Sequence, residues 1–265
     1  MQGIKVGDRI VTNQSHQSGF LCARADVLAV VPEHVSSEAA SLTYLAHLGL
    51  AALQNVRYQP GEHVAILGLG VIGLAAVAVA KQLGSTVIAI GNDPFRLEKA
   101  RLMGADLCVR SDDPQLLPAI EAATRGAGVD VLITTANPWE AWRLALMIPR
   151  TRGRIAVLGF PGRSEGPPTF NPFEPSLFYL KQLTIVAAGS VSEVPDIAPQ
   201  EIRFTLQRNM EMLLAWMAEG RLPLEQILTH QLPWDQLGRV YELAGQKQKD
   251  LVAAVLDWRP CRGAR

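Results

Sequence analysis

The stretch HVAILGLGVIGLAAVAVAKQLG, residues 63–84, decides the fold of this chain. It places Gly68, Gly70 and Gly73 at the G-x-G-x-x-G spacing, between an apolar run and a helical pattern. In this motif the first glycine makes a tight turn, the second lets the backbone approach a pyrophosphate, and the third lets the helix pack on the sheet. The motif therefore predicts a dinucleotide site.

The helix after the turn begins with Val71 and Ile72. The first N–H groups of a helix and its positive dipole end attract phosphate groups, so we expect both residues to contribute to the site. The alternative is a glycine-rich turn in an α/β domain without a ligand. A second strand pattern follows at the distance that a dinucleotide fold requires, which favours binding.

Outward from the motif, β-branched runs alternate with amphipathic segments as far as residue 188. The candidate strands are HVAIL, TVIAI, LCV, VDVLIT, RIAVLGF and LTIVAA. Helical segments such as DPFRLEKARLMG lie between them, with Asp93 and Pro94 as a start signal and Gly104 as a stop signal. This alternation predicts an α/β fold with a doubly wound parallel Rossmann sheet.

The composition is that of an ordinary globular protein. The 265 residues carry a formal net charge of zero, and 48% are hydrophobic. Such a balance gives no electrostatic reason to expect a nucleic acid or an anionic membrane as partner, so we expect neither. The three cysteines, Cys22, Cys108 and Cys261, form no C-x-x-C pair, and the first residues show no signal-peptide pattern. We therefore expect a cytoplasmic protein without disulfides.

The end of the second strand bears on the choice of coenzyme. NAD-specific sites place a carboxylate there, whereas TVIAIGNDPFR has Gly91 followed by Asn92. Arg96 in the next helix is placed to bind a 2′-phosphate, which predicts NADP(H) in preference to NAD(H). Asp93 is the rival ribose ligand, although its position before Pro94 favours a helix-capping role.

At this point the pattern resembles the medium-chain dehydrogenase/reductase superfamily, the zinc-type alcohol dehydrogenase-like proteins. The resembling segments run in the family's order and include KVGDRIV, PEHVSSEAASLTYLAHLGLAAL, the glycine motif, RGRIAVLGFPG and KQLTIVAAGS. The resemblance implies a Rossmann domain at 49–199, inserted into a GroES-like β-rich catalytic domain. Residues 1–48 and 200–265 would be the remnant of that catalytic domain.

The resemblance also implies further contacts to the coenzyme. In the family, the segments after the fourth, fifth and sixth strands touch the nicotinamide ribose and carboxamide. The corresponding residues here are Thr135, Ala136, Gly159, Phe160, Ala188 and Gly189. Plain loop geometry is the alternative explanation for the glycines among them.

Tyr44 and His47 lie one helical turn apart in TYLAH, where the family chain enters the cleft beside the nicotinamide. Hydride transfer to a carbonyl leaves an alkoxide that a hydrogen-bond donor must stabilise or protonate. Tyr44 and His47 are therefore the candidate catalytic residues. The alternative is that both only pack at a domain junction.

Several departures from the family pattern bear on metal binding. The chain opens at the equivalent of the VGDRV strand, so the segment with the family's GHE motif and zinc-binding cysteines is expected to be missing. Thr43 stands where relatives often have a further metal ligand, and neutral threonine binds zinc poorly. The five histidines show no ligand spacing. We expect no metal.

A further departure concerns coenzyme affinity. Ala253 replaces a basic residue that contacts the coenzyme phosphates in relatives, which predicts weaker coenzyme binding.

These observations predict a zinc-independent NADP(H)-dependent oxidoreductase. It would transfer a hydride between the nicotinamide and a small alcohol, a carbonyl compound or an activated alkene. The alternatives are a non-catalytic nucleotide-binding sensor or subunit, and a fragment of a full-length dehydrogenase. A family dimer that pairs sheets edge to edge would use the strand near residues 182–189, which predicts a homodimer.

Overall fold

The computed structural model describes residues 3–189, 204–246 and 248–259. The chain divides into two compact units: Met1–His47 with Pro195–Arg265, and Leu48–Val194. The predicted domain boundary between residues 199 and 200 lies outside the described residues. The assignment of the flanking segments to a GroES-like remnant stays a prediction.

The described residues form ten strands and eight α-helices. The strands are β1 (Ile10–Thr12), β2 (Val27–Val30), β3 (His63–Leu67), β4 (Thr86–Gly91), β5 (Leu107–Arg110), β6 (Val129–Thr134), β7 (Pro149–Val157), β8 (Thr184–Ala187), β9 (Leu228–Pro233) and β10 (Ala253–Asp257). The helices are α1 (Ser37–Ala40), α2 (Thr43–Asn55), α3 (Val71–Gln82), α4 (Pro94–Leu102), α5 (Leu116–Ala123), α6 (Trp139–Met147), α7 (Leu206–Ala218) and α8 (Leu237–Gly245).

The unit Leu48–Val194 contains a six-stranded sheet in the order β5-β4-β3-β6-β7-β8, and all of its pairs are parallel. Leu67 at the end of β3 is in register with Ile90 of β4 and with Thr134 of β6. The chain winds outward from β3 in both directions, so β3 and β6 flank the switch point of the topology. Open α/β sheets bind ligands at such a point, beyond the carboxyl ends of the strands.

Helices cover both faces of this sheet. On one face Ala65, Ile88 and Leu132 cluster with Ile120 of α5 and Trp142 of α6, all of them buried. Helices α3 and α4 contact β3, β4 and β5 instead and are absent from that cluster. The predicted doubly wound parallel sheet is therefore confirmed.

Strand β7 differs from its predicted extent. RIAVLGF was expected to begin at Arg154, but the strand begins at Pro149 and ends at Val157. The register of β7 against β6 shifts within its polar first half, and Arg152 there has a φ of 62°. A bulge with polar residues breaks the period-2 pattern, which explains why the sequence did not reveal this half.

In the unit Met1–His47 with Pro195–Arg265, β1 and β2 pair antiparallel, while β9 and β10 pair parallel. Its core joins Val11 and Leu28 from the first pair to Met210 and Leu214 of α7. Within the described ranges, no helix is both long enough and apolar enough to cross a membrane.

Candidate functional site

The glycine turn joins β3 to α3 and is held by both neighbouring strands. Gly68 has a φ of 96°, and a Cβ there would lie 2.7 Å from Thr135 Oγ1. The Gly68 N–H donates to the Ile90 carbonyl at 3.0 Å, and the Thr135 hydroxyl donates to the Gly68 carbonyl at 2.9 Å. Both the backbone conformation and the available space therefore require glycine at this position.

The start of α3 leaves room for a ligand on one side and packs tightly on the other. A Cβ at Gly73 would lie 1.9 Å from the Gly68 carbonyl oxygen, so the helix rests directly on the turn. Gly70 is the N-cap without a side-chain hydrogen bond, and no described atom lies within 4 Å of its Cβ position. Val71 and Ile72, both half-buried, complete the first turn. Its N–H groups have no intrahelical acceptor and suit an anionic diphosphate.

A cavity of about 440 Å³ opens beside this turn. This volume lies within the range of small-molecule sites. The cavity is bordered by the carboxyl ends of β3 and β4, by the segments after β5 and β6, and by one side of α6. All of its lining residues belong to the unit Leu48–Val194.

Gly91 lines this cavity at the end of β4. A Cβ at Gly91 would lie 2.9 Å from Cδ1 of Leu69, so the place where a side chain would begin is already taken by that leucine. A carboxylate at position 91 would have to displace Leu69. The open space next to Gly91 is the cavity, which Asn92 and Arg96 also line.

The two charged candidates after β4 have different roles. Oδ1 of Asp93 accepts the backbone N–H of Phe95 at 2.8 Å and that of Arg96 at 3.4 Å, which confirms the predicted helix cap. The Arg96 side chain is half-buried, and its Nη1 donates to the Leu69 carbonyl at 3.0 Å. The guanidinium is thereby anchored between the glycine turn and the cavity.

The segment after β5 also reaches the cavity, and the sequence reasoning missed it. Ser111 and Asp112 line the cavity, and the Ser111 N–H donates to the Gly91 carbonyl at 3.0 Å. Arg110 donates from Nε and Nη2 to the two oxygens of Asp112, at 2.9 and 2.7 Å. This hydrogen-bonded pair lowers the pKa of the Asp112 carboxyl. The polar run at the end of the predicted strand LCV was the available signal.

The loops after β6 and β7 meet at the turn, as far as the structure describes them. Ala136 lines the cavity, and a Cβ at Gly159 would lie 2.8 Å from the Ala136 carbonyl oxygen. The Phe160 N–H donates to Asn137 Oδ1 at 2.8 Å, while the Phe160 ring is exposed. The structure therefore brings Thr135 and Ala136 against Gly68, and Gly159 against Thr135 and Ala136.

Ala188 and Gly189 follow β8. The Ala188 N–H donates to the Val157 carbonyl at 3.0 Å, and Ala188 is buried. Gly189 has no described atom within 4 Å of its Cβ position. Neither residue lines the cavity beside the glycine turn. Their predicted contact with the nicotinamide stays a prediction.

Tyr44 and His47 belong to the other unit. His47 is fully buried, and its Nδ1 lies 3.4 Å from Nδ2 of the buried Asn209. Burial lowers the pKa of His47 to about 4, so the imidazole is neutral at physiological pH. The Tyr44 ring centroid lies 6.0 Å from that of His47, and Tyr44 packs against the core of this unit.

Thr43 occupies the position at which the family resemblance implies a metal ligand in relatives. Thr43 is fully buried, and its hydroxyl donates to the Ala40 carbonyl at 2.7 Å. Among the described residues, no group of three or more His, Cys, Asp or Glu side chains is arranged to hold a metal ion. The Thr43 hydroxyl is therefore engaged with the backbone, and the absence of a metal stays a prediction.

Known proteins resemble this chain over much of its length. A family model described as zinc-binding dehydrogenase matches residues 71–206. Sorbitol dehydrogenase of Bacillus subtilis (strain 168) is 36% identical over 149 residues, which are 56% of this chain and 42% of that protein. L-threonine 3-dehydrogenase of Bacillus licheniformis is 30% identical over 223 residues, which are 83% of this chain and 57% of that protein.

A solved structure agrees with these sequence relatives. The alcohol dehydrogenase TADH from Thermus sp. ATN1 is 26% identical, with a TM-score of 0.69. The match covers 86% of this chain and 62% of that one. The chain spans about half the length of the curated relatives that it matches.

Proposed function

The chain belongs to the zinc-binding dehydrogenase family, and from this premise we propose that it is a zinc-independent, NADP(H)-dependent oxidoreductase. It transfers a hydride between the nicotinamide and a small alcohol, a carbonyl compound or an activated alkene. The observation that carries the proposal is the turn in which α3 rests on Gly68 while Gly70 stays open. The relatives named above are dehydrogenases of alcohol substrates, which supports the reaction class.

Residues of one unit would hold the coenzyme. The backbone of Gly70, Val71 and Ile72 would bind the diphosphate through N–H groups of the first turn of α3. The adjoining cavity would take the adenosine half, because it opens at the switch point of the sheet. When bound, the coenzyme supplies or accepts the hydride.

Three features support NADP(H) over NAD(H). Gly91 offers no carboxylate at the end of β4, and Leu69 fills the place of a side chain there. Asp93, the rival ribose ligand, uses one oxygen to cap α4. Arg96 lines the cavity with a guanidinium suited to a phosphate monoester.

Tyr44 and His47 are the proposed catalytic residues. At neutral pH His47 is uncharged, because burial depresses its pKa to about 4. It can therefore offer an N–H hydrogen bond but not the proton of an imidazolium. The phenol of Tyr44 is then the proposed proton donor, with His47 as its neutral neighbour.

Zinc independence is supported by the side chains available for coordination. Thr43 donates its hydroxyl to the backbone, and the described part of the chain assembles no set of metal ligands. We also propose a cytoplasmic location, on the basis of the cysteine pattern.

Coenzyme titration followed by an activity screen tests the proposal. NADPH and NADH are titrated against the protein, and oxidation of the better ligand is followed with a panel of aldehydes, quinones and enones. We expect tighter binding of NADPH and turnover that survives a metal chelator. Absence of binding of either coenzyme at millimolar concentration would overturn the proposal.

The burial of His47 also favours a second candidate function. A neutral, enclosed imidazole bound to Asn209 is suited to packing as well as to catalysis. The chain would then be a non-catalytic nucleotide-binding sensor or subunit. Coenzyme binding without oxidation of any substrate in the panel would select this function.

We further propose a homodimer through β8. This strand is the last in the sheet order and pairs only with β7 among the described strands. Its outer edge offers backbone N–H and C=O groups to a second copy. Light scattering coupled to size exclusion tests the proposal, and a monomeric mass at micromolar concentration would contradict it.

A further inference from the structure

Three carboxylates line the cavity beside the glycine turn: those of Asp93, Asp112 and Glu140. The first caps α4, and the second is held by two hydrogen bonds from Arg110. Glu140 is exposed, and no described residue donates a hydrogen bond to its carboxylate or forms an ion pair with it. Among the three, it is the carboxylate that has no hydrogen-bond partner within the described part of the chain.

Helix α6 aims Glu140 at the cavity together with two apolar residues. Ala141 and Leu144 also line the cavity. Leu144 follows Glu140 by four residues and Ala141 by three, so it neighbours both of them on the helix surface. On the sheet, Leu67 and Ile90 supply further apolar walls. The result is an apolar slot with a carboxylate at its edge, which fits a flat heteroaromatic ring that carries a hydrogen-bond donor on its rim.

We infer that Glu140 recognises the exocyclic amino group of the adenine ring of the coenzyme. This inference rests on the proposed function. An ionised carboxylate only accepts hydrogen bonds, so it favours a purine with a 6-amino group and opposes one with a 6-oxo group. Arg96 comes from α4 rather than α6, so the phosphate and the base would be bound by different elements. Glu140 therefore determines which base the site accepts.

A purely structural role for Glu140 gives a different expectation. The residue lies in the first turn of α6, where a negative charge is stabilised by the helix dipole. Removing the charge would then lower the stability of the protein slightly. It would leave the preference between two bases unchanged.

The experiment compares NADPH with its reduced hypoxanthine counterpart, in which an oxygen replaces the amino group. If NADH proves the better ligand, the same pair is used without the 2′-phosphate. Dissociation constants are measured from nicotinamide fluorescence for the wild type, Glu140→Gln and Glu140→Ala. Glu121→Ala is the matched control, because it removes the same charge from the exposed surface of α5 outside the cavity lining.

We expect the wild type and Glu121→Ala to prefer the adenine form by about tenfold or more, as for a hydrogen bond to a charged acceptor. Glu140→Ala should lose this preference, and Glu140→Gln should reduce it because an amide offers both a donor and an acceptor. Equal affinity of the wild type for the two bases overturns the inference and leaves the proposed function standing. An unchanged preference in Glu140→Ala does the same. Failure of both coenzymes to bind removes the proposed function as well.

Discussion

The glycine turn of the parallel sheet and the buried His47 obtain their chemical properties in different ways. The turn offers backbone N–H groups, and its shape depends on the absence of side chains at Gly68 and Gly73. His47 owes its state to its surroundings, because burial lowers its pKa to about 4. A site made from backbone is determined by local geometry, whereas a site made from a titratable side chain is determined by distant residues. The difference can be tested by substitutions in either region.

The largest effect is expected from Gly73→Ala. The new methyl group would lie 1.9 Å from the Gly68 carbonyl oxygen, which is backbone and cannot move without distorting the turn. We expect the free energy of unfolding to fall by more than about 3 kcal/mol, and coenzyme binding to be lost. Urea unfolding and NADPH titration measure the two effects.

Gly70→Ala is the matched control for this substitution. No described atom lies within 4 Å of its Cβ position, so the fold should tolerate the methyl group. Coenzyme affinity alone should fall, because the backbone at this position must approach the diphosphate closely. Equal loss of stability in the two variants would contradict the proposed packing of α3 on the turn.

The second effect concerns His47 and pH. Its pKa is 6.5 in the unfolded chain and about 4 in the folded protein, so the unfolded chain binds the extra proton between these values. The contribution of His47 to the free energy of unfolding is therefore constant above pH 6.5. It decreases as the pH falls towards 4, by about 3 kcal/mol in total. Urea unfolding at several pH values should show this decrease in the wild type.

His47→Gln removes the titrating group and serves as the reference. The difference between the two proteins in free energy of unfolding should change with pH between 6.5 and 4 and stay constant above that range. A constant difference across the whole range would show that the imidazole is not enclosed.

A smaller effect is expected from Thr135→Val. The substitution removes the hydroxyl that donates to the Gly68 carbonyl at 2.9 Å. We expect a loss of about 1 kcal/mol in unfolding free energy, typical of a single hydrogen bond. Thr135→Ser keeps the hydroxyl and should retain most of the stability; if it loses as much as valine, the hydrogen bond does not hold the turn.

The smallest effect is expected from Gly238→Ala in α8. This glycine is exposed, lies in a helix and has no described atom within 4 Å of its Cβ position. Alanine should stabilise the helix by about 0.5 to 1 kcal/mol, because it restricts the unfolded chain. Thermal unfolding measures the gain. A loss of stability would mean that this glycine is also required by its surroundings.

Much of the fold could be predicted because its signals are local. The glycine turn, the cap at Asp93 and the strands β4 and β5 on either side of that cap all follow from residues close together in the sequence. The first half of β7 could not be predicted, since a bulge and polar residues hide its strand pattern.

The candidate site divides in the same way. The three glycines of the turn are visible in the motif, whereas the neutral state of His47 depends on its burial. Its neighbour Asn209 lies 162 residues away in the sequence. The place of Glu140 in the cavity wall follows from how α6 packs on the sheet, which no local pattern shows.

The hydrogen bond from Thr135 to Gly68 affects the association of the ligand and the entropy of its binding. It ties the loop after β6 to the turn after β3 within the folded chain itself. The glycine turn is therefore preorganised, and coenzyme binding does not require a mobile loop to become ordered. Calorimetry should accordingly register little of the unfavourable entropy that accompanies the ordering of a loop on binding.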